Sequence, residues 1–294
     1  MKSFFLLLTS CLLVFQFGCA TLSQRRLAGD DAEVYHQSLD PFAGLASTSA
    51  GPSHDVRTYS KTQGDFDNRL KPFLDPAKSK YLTVAEIKSI ELDPPPANNS
   101  ERTQAEIAFL FNLRSAQSSI IEDRLFAENF FNHVRFGPVF INARHVQEID
   151  SSDAVDTLIS EAIADFNYEL YYQKAKFDRI RPSYLNRALQ PLLRVPRHPA
   201  YPSGHSSQAY LIAELLSRLD PTNAIAYFQA AKEIAVGREI AGLHYPSDSE
   251  SGRVLAQKYA ELLLTKPAVA DFYEAARVAW KRRPANARIL IIEP

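Results

Sequence analysis

An all-α helical bundle is the fold class this sequence predicts. Apolar residues recur at helical spacing from about residue 102 onward, and period-two alternation is scarce. No repeat on the scale of solenoid units is present, so the helices are expected to share one core. The first apolar stripe is Ile107, Leu110, Phe111 and Ala116. The second runs through Ile120, Ile121, Leu125, Phe126, Phe130 and Phe131. Leu158, Ile159, Ala162, Ile163, Phe166 and Leu170 make the third, and Pro182 is expected to stop the segment that follows. Later helices are expected over 206–219, 221–238, 249–265 and 268–281. Core packing is the expected role of Phe130, Phe131, Phe166 and Trp280. The tail, 289–292, is the one strand-like run.

Four stretches divide the 294 residues: an export signal at 1–20, a loop-rich extension at 21–100, a helical domain at 101–285 and a tail at 286–294. The signal reads as Lys2 followed by an apolar run from Phe4 to Phe17, shorter than the roughly 20 residues a spanning helix needs. A cleaved signal and a retained anchor both fit that run. Both cysteines, Cys11 and Cys19, lie inside the 1–20 segment, so the rest of the chain has no disulfide and no thiolate metal site. Gly18-Cys19 resembles the end of a bacterial lipoprotein signal, which makes Cys19 a candidate lipidation site. In the extension, Thr83 to Glu86 is a capping-box pattern that predicts a short helix, and Pro94-Pro95-Pro96 predicts a stiff connector.

The net charge is −1, which gives no global argument for nucleic acid as a partner. Affinity for an anion has to come from a local cluster, and three stretches supply one. Lys174 and Arg181 are seven residues apart, so within one helix they would share a face. Pro202-Ser203-Gly204-His205 precedes an amphipathic segment, and a helix starting there aims free N–H groups back at the turn. Gly237-Arg238 is followed by His244 and, four residues on, by Asp248. Ser247 to Glu250 is also a capping-box pattern, which places Asp248 in the first turn of a helix. Fixed cations, two histidines, an orienting carboxylate and a helix N-terminus match the demands of phosphoryl transfer, where negative charge spreads over equatorial oxygens.

These blocks resemble the superfamily of type 2 phosphatidic acid phosphatases (PAP2) and vanadium haloperoxidases. Its pattern is KxxxxxxRP, PSGH and SRxxxxxHxxxD, in that order. Both internal spacings match, over roughly residues 102 to 265, and the pattern is closest to the bacterial class A non-specific acid phosphatases. The resemblance implies that Lys174, Arg181, Ser203, Gly204 and Arg238 bind phosphate. It also implies that His244 is the nucleophile, Asp248 orients it, and His205 is the general acid. Gly237 departs from the family's serine. The expected function is an exported phosphomonoesterase acting on soluble organic phosphates through a phosphohistidine, without metal or cofactor, in the periplasm or cell envelope. Some class A relatives dimerise. Three other readings fit the same residues: a lipid phosphatase at a membrane surface, a haloperoxidase that holds vanadate on His244, and a phosphate-binding protein without turnover.

Overall fold

The computed structural model describes residues 38–48, 57–115 and 154–282. The expected export signal with Cys19, the second apolar stripe and the strand-like tail lie outside the described residues. Among the described residues the regular structure is all helical, and no helix is long and apolar enough to cross a membrane. The α-helices are α1 (Tyr59–Gln63), α2 (Val84–Ser89), α3 (Glu101–Ser115), α4 (Ala154–Phe177), α5 (Pro182–Leu185), α6 (Gly204–Leu219), α7 (Ala224–Ile240), α8 (Pro246–Leu263) and α9 (Pro267–Arg282).

The core follows from the stripes. Leu158, Ala162, Phe166 and Leu170 recur every four residues on α4, and all are buried. They pack with Leu211 and Leu215 of α6, Ala231 of α7, and Leu255 and Tyr259 of α8. The rings of Phe166 and Tyr259 tilt against each other at 4.7 Å. Helix α6 is central, lying along both α7 and α8, while α9 runs along α4 and buries Trp280. The N-terminal part joins the same core: Leu82, Ile87, Ile90 and Leu92 pack into it. Asp165 of α4 ties this part down by accepting hydrogen bonds from Ser79 Oγ at 2.9 Å, the Lys80 amide, and Tyr259 Oη at 2.7 Å.

The Thr83 capping box forms, with Glu86 closing back on the Thr83 amide. The other expected capping box does not. Helix α8 starts earlier, with Tyr245 as N-cap and Pro246 in the first turn. Proline suits that position because the N–H it lacks would have no helical partner there. Asp248 still falls in the first turn, and its carboxylate closes on the Tyr245 amide at 3.0 Å.

Candidate active site

Lys174 and Arg181 do not share a helix face. Helix α4 ends at Phe177, and Asp178 takes φ 46°, a left-handed conformation that ends the helix. Arg181 is extended, as the residue before a proline prefers, and Pro182 opens α5 instead of stopping α4. Both cations are nevertheless fully buried at one place. Lys174 Nζ donates to the carbonyls of Pro199 at 3.0 Å and Ala200 at 3.2 Å, and to that of Pro202. Arg181 donates to the carbonyls of His198 and Leu243, at 3.0 and 2.9 Å. Burial, and then the Arg181 guanidinium, push the Lys174 ammonium well below its usual pKa. Burial likewise brings Arg181 down to about 10.

The loop from His198 to Ser203 lies between these cations and α6. It contains a cis Tyr201–Pro202 bond. Ser203 caps α6, receiving the Ser206 amide, and Gly204 opens the helix with its α-carbon facing the Lys174 stem. Ser203 N donates to the Asp248 carbonyl at 2.9 Å, and Ser206 Oγ to the Ser249 carbonyl at 2.7 Å, which draws the starts of α6 and α8 together. The approach is tight at Gly252 of α8. A β-carbon there would lie 2.8 Å from the Ser203 carbonyl oxygen.

Arg238 and His244 are brought in by the end of α7. The Leu243 amide donates to the Arg238 carbonyl and the Gly242 amide to the Glu239 carbonyl, with Gly242 at φ 70°. This is a Schellman turn, which glycine enters without a steric penalty. Arg238 is fully buried and His244 nearly so. His244 Nδ1 lies 3.2 Å from Asp248 Oδ2, and Arg181 Nη1 lies 3.3 Å from His244 Nε2. A guanidinium can only donate, so these two contacts suit an imidazole with Nε2 unprotonated and its proton on Nδ1 toward Asp248, while the Ala200 carbonyl also accepts from the ring.

The two histidines share an electrostatic environment. Burial lowers the His244 pKa well below its ordinary value, helped by Arg181, Lys174 and Arg238. His205, the second residue of α6, is half-buried. Burial lowers its pKa as well, followed by Arg238 and His244.

The sequence assigns no role to Arg179 or Glu106, and points to His198 only as a place for specificity-determining loops. Arg179 Nη1 donates to Asp248 Oδ1 at 2.6 Å and to Ser247 Oγ at 2.7 Å, and Nη2 donates to Glu106 Oε2 at 3.1 Å. Its guanidinium lies over the Tyr245 ring at 3.9 Å. Burial opposes the Arg179 charge, but Asp248 and Glu106 outweigh it and its pKa is raised. Glu106 reaches in from α3 and also accepts the Ser247 amide at 2.8 Å. His198 Nδ1 lies 3.1 Å from Arg181 Nη2, and its ring meets Tyr171 edge-on. Four basic side chains, Lys174, Arg179, Arg181 and Arg238, thus face two carboxylates, Asp248 and Glu106. That imbalance suits a multiply charged anion.

The chain resembles the PAP2/haloperoxidase superfamily in the order and spacing of its three motifs. Over 100 residues it is 29% identical to a non-specific acid phosphatase of Providencia stuartii, spanning 32% of this chain and 40% of that protein. No family model matches. A bacterial vanadium-dependent iodoperoxidase of known structure aligns with 65% of this chain and 53% of its own, at 21% identity and a TM-score of 0.46.

Proposed function

We propose that the protein is an exported phosphomonoesterase that hydrolyses organic phosphate esters through a phosphohistidine on His244. The observation that carries this reading is the position of His244, with Nδ1 on Asp248 and Nε2 facing the Arg181 guanidinium. A nucleophile needs a lone pair aimed at the anion site and a partner that fixes the opposite tautomer.

In this mechanism Lys174, Arg181 and Arg238 surround the phosphate with positive charge, and Ser203 and the first amides of α6 donate to its oxygens. His244 Nε2 attacks phosphorus in line. The P–N bond forms as the ester P–O bond breaks, and His205 gives its proton to the leaving oxygen. His205 then takes a proton from water, whose oxygen attacks phosphorus and breaks the P–N bond. His205 must be protonated for the first step, and the arriving phosphate favours that by offsetting the cations that depress its pKa. The same chemistry serves an envelope enzyme whether or not Cys19 is lipidated.

The test is a panel of soluble phosphate esters, with phosphatidic acid in micelles as comparison, assayed with and without orthovanadate as inhibitor. Vanadate-sensitive turnover of soluble esters is expected, and acid quenching should trap an acid-labile phosphoryl group on the wild type but not on His244→Ala. A His244→Ala variant with the wild-type rate would end the mechanism.

A further inference from the structure

Asp248 cannot orient His244 unless something holds Asp248. Its two carboxylate oxygens have different partners. Oδ2 receives the Tyr245 amide and faces His244 Nδ1, while Oδ1 receives Arg179 Nη1. Arg181 and Lys174 also lie within the electrostatic reach of this carboxylate. A carboxylate free to turn would be drawn toward those cations and away from the imidazole.

We propose that Arg179 and Glu106 are positioning residues that hold the Asp248 carboxylate in the plane His244 requires. Arg179 bridges the two acids, and Glu106 fixes Arg179 from the opposite side while its other oxygen takes the Ser247 amide at the start of α8. The Tyr245 ring covers the guanidinium face, so the fork has one seating. All of these groups are buried, and buried ion pairs act strongly when partners are removed one at a time. The chain of contacts runs from α3 through Glu106, Arg179 and Asp248 to His244 Nδ1. Neither Arg179 nor Glu106 needs to touch the substrate.

This inference rests on the phosphatase reading for its kinetic arm, but not for its spectroscopic one. In protein labelled with 15N-histidine, long-range nitrogen–proton spectra report the His244 tautomer directly. Wild-type protein is expected to show neutral His244 with the proton on Nδ1 at pH 7. In Glu106→Gln, which keeps the shape, and in Arg179→Lys, which keeps a charge but cannot bridge two carboxylates, the signal is expected to shift toward a tautomer mixture. Turnover of p-nitrophenyl phosphate is expected to fall about tenfold to a hundredfold in kcat, in the range seen when groups that orient a catalytic ligand are lost. Competitive inhibition by inorganic phosphate is expected to change less than about threefold, since binding and orientation are separable. Folded variants that retain both the wild-type tautomer and the wild-type kcat would overturn the proposal. So would a loss of phosphate binding as large as the loss of kcat, or a wild-type His244 carrying its proton on Nε2. If wild-type protein hydrolyses no ester, the functional reading fails while the tautomer comparison still decides this one.

Discussion

His244 is held between an acceptor and a donor: Asp248 Oδ2 lies 3.2 Å from its Nδ1, and Arg181 Nη1 lies 3.3 Å from its Nε2. Asp248→Asn keeps the shape but lets an amide NH2 face the ring and favour the other tautomer. A kcat loss of about 10³ to 10⁴ is expected, as when the orienting acid of a catalytic triad becomes an amide. Arg179 also loses a carboxylate, so the melting temperature should fall. A kcat near wild type in a folded Asp248→Asn protein would contradict this arrangement.

The depressed histidines make binding proton-linked. His198, His205 and His244 all sit well below their ordinary pKa, burial being the largest cause in each. Between those folded values and the unfolded value near 6.5, the unfolded chain binds more protons, so stability falls as pH drops below about 6.5. Bound phosphate offsets the cations and raises the pKa values. Calorimetric titration with inorganic phosphate near pH 6 should show proton uptake as a buffer-dependent heat. Equal heats in buffers of different ionisation enthalpy would refute the linkage.

Gly252 admits no side chain without moving backbone. The extra carbon of Gly252→Ala would meet the Ser203 carbonyl oxygen at 2.8 Å and Ser207 N at 3.0 Å. Overpacking of this kind costs about 1–3 kcal/mol. Because the displaced atoms belong to the Ser203 turn, KM for phosphate esters should rise together with the loss of stability. A variant with wild-type melting temperature and KM would show that α6 and α8 can separate freely.

Glu169 is fully buried on α4, and burial raises its carboxyl to about 8 despite a hydrogen bond from Gln173. The native state therefore binds more protons than the unfolded chain between the ordinary value near 4.5 and about 8, and stability falls as pH rises through that window. Glu169→Gln removes the penalty. The melting temperature should rise by about 3 °C or more at pH 8.5 and change little at pH 5. An equal shift at both pH values would place the effect in packing instead of ionisation.

Much of the scaffold is legible in the sequence, because its signals are local. The period of Leu158 to Leu170 marks α4, and Thr83 with Glu86 marks α2. The expected start of α8 was wrong because a Ser247 capping pattern competed with Pro246 for the first turn. Proline wins, having no amide to leave unpaired. The route of Arg181 into the site was not legible, since it depends on Asp178 adopting a left-handed φ. Nor was Glu106. A lone acid beside Ile107 reads as a solvated charge, and its guanidinium partner lies 73 residues away. Arg179 was visible only as one charge in a basic run.

The Schellman turn at Gly242 has a consequence for how this protein can vary in length. Arg238 and His244 stand on either side of it, and Asp248 follows one helical turn later, so their spacing is written into a short stretch of backbone. A residue added or deleted between 244 and 248 would turn the imidazole away from its acid, and one between 238 and 244 would break the turn that sets Arg238 against His244. The short linkers between α6 and α7 and between α8 and α9 carry no site residue, and insertions there should be absorbed with the chemistry intact.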